Sequence, residues 1–350
     1  MSQENMRAMM FLGPGELELQ EIPIPQPEAD QVLVKIHAAT TCGTDAKAYR
    51  RGHHLMKPPT LFGHEFAGEV VAVGSEVKNF SIGMRVVPHN SAPCQICFHC
   101  KVGQENLCED LIFNFGAFAE YTIIPGPIVR LNTFEIPDHI SYTQASILEP
   151  LVSVVHGQRI LQIQPGERVA IIGAGGPIGL MHLQMALRSG ASQVIAVDLS
   201  DTRLQVAEKL GATTILNPNR DDPVEAVRAL TDGMGADVTI ESAGAKAAWL
   251  TALNAVRKGG RVQWFGGLKS GETIDLDTHW VHYGELTLYG TFHGTPLDVQ
   301  RSFELISSGV IDTQALISGE LPLEGVEDAL KMMIEGEVVK MAIRPDLPAQ

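Results

Sequence analysis

Cys42, His64 and Glu65 put a soft thiolate, an imidazole and a carboxylate into one stretch of chain, Thr41 to Val77. That mixture is the ligand set expected of a catalytic zinc ion. Such an ion lowers the pKa of an oxygen bound at its open position, so that an alcohol ionises near neutral pH. A second set lies downstream, Cys94, Cys97, Cys100 and Cys108, spaced Cys-x2-Cys-x2-Cys-x7-Cys. Four thiolates can close tetrahedrally around one zinc with no position left open, and a loop wrapped on the ion takes folding energy from it. On spacing alone an iron–sulfur cluster or a redox thiol cluster also fits, because ferredoxins share the Cys-x2-Cys-x2-Cys run. One plus four uses all five cysteines, an odd number that suggests no disulfide framework.

A third constellation could hold a dinucleotide. The apolar run Val169–Ile172 leads into Gly173-Ala174-Gly175-Gly176-Pro177-Ile178-Gly179, an apolar helical pattern follows to Arg188, and a second strand, Val194–Val197, ends at Asp198. In a βαβ unit the glycines let backbone approach a pyrophosphate, which rests on the helix N-terminus. An acidic residue about 20 positions on accepts from the ribose hydroxyls and repels a 2′-phosphate, so Asp198 favours NAD over NADP. Arg203 could soften that preference or pair on the helix surface. The loop carries one residue more than Gly-x-Gly-x-x-Gly, which leaves the role of each glycine open.

These constellations need different scaffolds. Before residue 151 the chain reads as short strands with Gly and Pro punctuation: Leu17–Leu19, Val32–His37, Val70–Val73, Arg85–Pro88 and a returning strand at Phe118–Tyr121, with a loop carrying Arg50, Arg51, His53 and His54. From about 151 strands and helices alternate. Thr214–Leu216, Val238–Glu241, Val262–Phe265 and Leu286–Tyr289 bring the strand total to the six of a doubly wound sheet. Glu241–Gly244 and Phe265–Gly267 end strands where a nicotinamide would lie. The apolar positions of Val206–Leu210, Val299–Ile306 and Val326–Met333 read as core faces of helices.

The spacing Gly63-His64-Glu65-x2-Gly68-x5-Gly74-x2-Val77, with the cysteine lobe after it, resembles the zinc-dependent medium-chain dehydrogenase/reductase family, and within it the polyol (sorbitol/iditol) and threonine dehydrogenase branch. The resemblance covers nearly the whole chain. It implies an α/β protein: a GroES-like β-barrel catalytic domain over 1–150 and 291–350, with a structural-zinc lobe at about 90–110, and a Rossmann dinucleotide-binding domain over 151–290. It implies a catalytic zinc on Cys42, His64 and Glu65, with Glu149 bound directly, bound through water or exchanging with Glu65; structural zinc on the four-cysteine lobe; and NAD on the glycine loop. It makes Thr44 the group that takes the hydroxyl proton. Lys47 stands where the family's relay has histidine, and bonds the ribose or relays a proton if its pKa is depressed. Asp45 orients backbone and loop. His293, after Phe292, replaces an arginine that contacts polyol hydroxyls in sorbitol dehydrogenases, which counts against sorbitol itself as substrate. Lys340 resembles a basic pyrophosphate contact; as a bare residue it reads equally as a surface lysine.

Composition narrows the partners. With 41 acidic and 26 basic residues the formal net charge is −15, which argues against nucleic acid and anionic membranes. The start Met-Ser-Gln-Glu-Asn lacks the basic and apolar regions of a secretory leader, and no apolar run approaches the ~20 residues of a membrane span. A soluble, cytoplasmic, zinc- and NAD-dependent secondary alcohol dehydrogenase acting on a small polyol or sugar is the expectation, with a homodimer or homotetramer implied by the resemblance. The competing readings are a simple alcohol dehydrogenase or aldehyde reductase, a non-catalytic relative, and a zinc-free NADPH-dependent quinone reductase, which both metal motifs and Asp198 oppose. Arg50, Arg51, His53 and His54 form either a polar rim for substrate or a solvated loop.

Overall fold

A computed structural model describes residues 4–348. The chain divides into two compact units: one made of the chain up to Val152 together with Gly294 onward, the other Ser153–His293.

The first unit is built on the strand Val32–Thr40, which pairs antiparallel with Phe66–Val73 on one side and with Tyr121–Ile124 and Lys340–Ile343 on the other. Arg85–Pro88 and Thr133–Glu135 extend the sheet beyond Phe66–Val73, and Ile317–Leu321 extends it beyond Lys340–Ile343. Val32, Val34 and Ile36 are buried, as is Val70 opposite Val34, while Lys35 and His37 between and after them are more exposed. This two-residue period is the expected signature of a strand with one face on a core. Under it the rings of Phe11, Phe62 and Phe118 pack in series, with centroids 5.3 Å and 5.9 Å apart. Gly63 follows Phe62 with φ at +84°, and a Cβ there would lie 2.7 Å from the Phe118 ring. The glycine therefore lets the chain turn tightly over the aromatic core and deliver His64 and Glu65 to the far side.

Two expectations shift. The returning strand is Tyr121–Ile124 rather than Phe118–Tyr121, because Phe118 is drawn into the aromatic core. The stretch that reads as a loop after Cys42 is a helix, Gly43–Arg51, so Arg50 and Arg51 are its last turn. The chain favours it locally: Ala46 and Ala48 are strong helix formers, and Asp45 and the two arginines sit at the ends that suit the helix dipole.

The second unit holds six parallel strands in the order Thr214–Leu216, Gln193–Val197, Arg168–Ile172, Ala236–Glu241, Val256–Trp264, Thr287–Gly290. Strand order reverses at Arg168–Ile172, which opens a crevice at the carboxyl ends of the strands beside it. Val256–Trp264 starts earlier than the apolar run Val262–Phe265 because an irregular register shift inserts polar residues opposite Ala236–Val238.

Phe118→Ala is expected to lower unfolding free energy by about 3–5 kcal/mol, since it empties the space against Phe62 and Gly63. Urea denaturation followed by far-UV circular dichroism measures this, and a loss under about 1 kcal/mol would mean the core collapses around the gap.

Candidate active site and metal centres

In the first unit, Cys42 caps the helix Gly43–Arg51, with its Sγ accepting from the Thr44 N–H at 3.4 Å. The helix start thus fixes the sulfur and puts Thr44 and Asp45 in the first turn. The Gly63 turn brings His64 and Glu65 to the same place, and the ligand atoms of Cys42, His64 and Glu65 all lie within 4.8 Å of one another. Glu149, in the first turn of the helix Leu148–Leu161, puts Oε2 3.9 Å from His64 Nε2. His64, Glu65 and Glu149 are buried and Cys42 is half-buried.

His64 and Glu65 are each held by a partner behind them. Asp45 Oδ1 lies 2.9 Å from His64 Nδ1, which directs Nε2 toward the cluster. A carboxylate behind a ligating histidine fixes its tautomer and raises its basicity. Glu65 Oε2 accepts from Thr40 Oγ1 at 2.5 Å and from the Lys340 ammonium at 2.6 Å. Lys340 also donates to the Thr41 carbonyl at 2.5 Å. Burial works against the Lys340 charge, but Glu65 and Cys42 hold its pKa above the ordinary value. This corrects the placement of Lys340 at a pyrophosphate or on the surface. The strand Lys340–Ile343 pairs with Val32–Thr40 and carries the amine into the protein, where a carboxylate compensates it.

The pocket is short of positive charge. Burial, then Glu65, pushes the Cys42 thiol up. Burial pushes Glu149 up to about 7. Burial would depress His64, but Asp45 and Cys42 hold it well above its usual value. Glu65 Oε1 is buried without a hydrogen-bond partner. A thiolate, an imidazole and carboxylates gathered around an orphaned oxygen suit zinc in chemistry and in number.

The four-cysteine lobe fits zinc by distance. Cys97 Sγ lies 3.5 Å from Cys100 Sγ and 3.9 Å from Cys108 Sγ, and Cys94 Sγ lies 4.0 Å from Cys100 Sγ. Tetrahedral zinc–sulfur bonds of about 2.3 Å give edges of about 3.8 Å. The Cys97, Cys94 and Asp110 N–H groups donate to these sulfurs, as expected for thiolates held in a turn.

In the second unit the glycines of the loop take distinct roles. Gly173 turns at φ +82°. A Cβ on Gly175 would lie 2.5 Å from Arg203 Cβ and 3.0 Å from the Asp198 carboxyl, and one on Gly179 would lie 2.3 Å from the Gly173 carbonyl. Gly176 is the additional residue: it caps the helix Pro177–Arg188, and a Cβ there would meet only ordinary contact. Asp198 accepts from the N–H groups of Gly175 and Ser200, both at 3.0 Å. Burial lowers the Arg203 guanidinium pKa and Asp198 opposes this, so Arg203 belongs to the same corner and is half-buried. Lys47 lies one turn along the Cys42 helix and is half-buried. His293 closes the second unit with φ at +58°, its ring 5.7 Å from that of Phe292.

Residue types alone assign Asp45 only to its own loop and give Thr40 no role. Asp45 followed by Ala46 and Ala48 is a signal for the first turn of a helix, where acidic residues are favoured.

Residues 28–133 match the alcohol dehydrogenase GroES-like domain, and residues 177–308 match the zinc-binding dehydrogenase family. The chain is 35% identical to sorbitol dehydrogenase of Bacillus subtilis (strain 168), covering 98% of each chain. It is 37% identical to L-threonine 3-dehydrogenase of Symbiobacterium thermophilum, covering 99% of each. Among solved structures, a Sinorhizobium meliloti 1021 protein assigned as a zinc-binding dehydrogenase and bound to NADP superposes with a TM-score of 0.90 at 32% identity, over 98% of this chain and 100% of that one. The protein belongs to the zinc-binding, medium-chain alcohol dehydrogenases, with a GroES-like unit and a Rossmann unit.

Two outcomes check the metal assignments. Asp45→Asn is expected to weaken zinc at Cys42 and His64 about 10–100-fold. Atomic emission after dialysis should then find one zinc equivalent where the parent keeps two. Cys97→Ser is expected to lower the melting temperature and release the other zinc; an unchanged melting temperature would contradict a structural role for the lobe.

Proposed function

We propose that the chain oxidises a secondary alcohol of a polyol or sugar, with NAD as hydride acceptor, through a zinc ion held by Cys42, His64 and a carboxylate from Glu65 or Glu149. The buried donor cluster with its orphaned Glu65 oxygen carries this reading. Zinc there supplies a Lewis acid for the substrate hydroxyl, and the nicotinamide supplies the hydride acceptor. Thr44, two residues after Cys42 in the capped turn, takes the hydroxyl proton. Lys47 either bonds the ribose or passes the proton outward. Asp45 keeps the second His64 nitrogen aimed at the cluster, and Lys340 keeps one Glu65 oxygen engaged.

The Rossmann unit takes the cofactor through Gly173, Gly175, Gly176, Pro177, Ile178 and Gly179, with the pyrophosphate at the helix N-terminus. Asp198 at the end of Gln193–Val197 supports NAD. Arg203 in the same corner, and the NADP held by the Sinorhizobium protein, support NADP as the second reading. His293 faces substrate hydroxyls in this proposal. The sorbitol and threonine dehydrogenases among the relatives support a vicinal hydroxyl pair or an amino alcohol as the reacting group. Among the described residues no helix is long and apolar enough to cross a membrane. A cytoplasmic location and a homodimer or homotetramer complete the proposal, on the strength of the family resemblance.

NADH formation with zinc-loaded protein over polyols, sugars, amino alcohols and simple alcohols tests the reading. Turnover confined to vicinal diols or amino alcohols is the expected result, and turnover of simple primary alcohols alone would favour an ordinary alcohol dehydrogenase. Cys42→Ser should abolish turnover with the far-UV spectrum unchanged, and full activity in that variant would overturn the mechanism.

A further inference from the structure

The dinucleotide loop, Asp198 and the reversal of strand order fix how a cofactor runs across the second unit. The adenosine half of a bound dinucleotide would lie over the end of Gln193–Val197 and its pyrophosphate over the turn after Arg168–Ile172. The other half of the molecule then falls across the ends of Ala236–Glu241 and Val256–Trp264, where residues 242–245 and 265–267 leave the sheet.

One buried side chain joins these two segments. Glu241, the last residue of its strand, is fully buried. Its Oε1 accepts from the N–H groups of Ala243 at 2.8 Å and Gly244 at 2.6 Å, and its Oε2 accepts from the Gly266 N–H at 3.2 Å. The Glu241 carbonyl accepts from the Phe265 and Gly266 N–H groups as well. Trp249 holds the other face of Gly266, its indole N–H donating to the Gly266 carbonyl at 2.8 Å. The two segments touch so closely that a Cβ on Gly266 would lie 2.3 Å from Gly244 N. The first segment is in turn bound to the dinucleotide loop: Ser242 Oγ donates to the Gly173 carbonyl at 3.0 Å, and a Cβ on Gly173 would lie 2.8 Å from Ala243 N. Three turns from three neighbouring strands thus form one platform.

A carboxylate is a costly way to tie turns together in a dry place. Burial pushes the Glu241 carboxyl up to about 7 against the pull of the surrounding N–H groups. Backbone amides balance its charge. A neutral residue would leave several donors unmet or a turn unsupported.

We propose that Glu241 is a positioning residue for the nicotinamide half of the cofactor: its buried carboxylate clamps residues 242–245 to residues 265–267 and so sets the surface against which the nicotinamide riboside rests. The inference builds on the reading that this unit binds a nicotinamide dinucleotide. It places no contact between Glu241 and the cofactor; the effect passes through the backbone of the two turns.

ADP-ribose, which carries the adenosine half and pyrophosphate but no nicotinamide, separates positioning from general loosening. In Glu241→Gln one oxygen still accepts, but the amide nitrogen presents hydrogen toward a backbone N–H. Calorimetric titration of the zinc-loaded full chain should show NADH weakened about tenfold while ADP-ribose stays within about twofold. Gly266→Ala forces the two turns apart with the carboxylate left in place, and should give the same split if Glu241→Gln fails to fold. Parallel losses for NADH and ADP-ribose, or no loss for either, would overturn the positioning role. Parent protein that binds neither ligand would overturn the dinucleotide reading itself, a result distinct from a parallel loss in the variants.

Discussion

The ion pair between Lys340 and Glu65 is the constraint on which the rest of the first unit turns. Two opposite charges sit buried beside a thiol, an imidazole and a second carboxylate. Removing charges from water costs several kcal/mol per ion, about what a good buried pair returns when its remaining oxygens and hydrogens are also bonded. Lys340 meets that condition through Glu65 and the Thr41 carbonyl. Glu65 meets it only on the Oε2 side, through Lys340 and Thr40. The unmet Oε1 and the raised acids around it are what an ion of double positive charge relieves. The sheet brings this about through one late strand, Lys340–Ile343, paired antiparallel to the strand that leads into Cys42. Lys340 and Glu65 stand 275 positions apart in the sequence (340 − 65), so the centre forms only when the C-terminal segment has joined the first unit.

The two metal sets differ as their chemistry requires. The four cysteines lie within fifteen residues of one another, three of them are partly exposed, and backbone N–H groups donate to the Cys94 and Cys108 sulfurs. A local loop of that kind has little core of its own, so an ion there contributes folding energy. Cys42, His64 and Glu149 come from a helix cap, a turn over an aromatic core and a second helix start. Their positions are set by the packing of these elements, which suits a centre whose ion reacts rather than staples.

Much of this is legible in the sequence. Ligand types and spacing mark both metal sets, and the six strands of the second unit show as short apolar runs because parallel strands are buried on both faces. The helix after Cys42 is hidden by Arg50 and Arg51, which look like loop polarity but form its last turn. Lys340 reads as surface because a lone lysine usually is, and only the strand pairing reveals the carboxylate beneath it. The glycine roles need coordinates, since an additional residue in the loop leaves open from sequence which glycine takes which role. Asp45 and Glu241 act through backbone or through another side chain, and such second partners leave no pattern in a single sequence.

In the proposed chemistry one zinc reacts and the other only supports the fold. Stepwise removal of zinc by a chelator, with zinc content, far-UV ellipticity and NAD-linked turnover followed on the same samples, tests this most directly. Turnover should vanish as the first equivalent leaves while ellipticity holds, and ellipticity should fall only with the second. Turnover that persists after the first equivalent has gone from the Cys42 centre, or that declines only in step with unfolding, would contradict it.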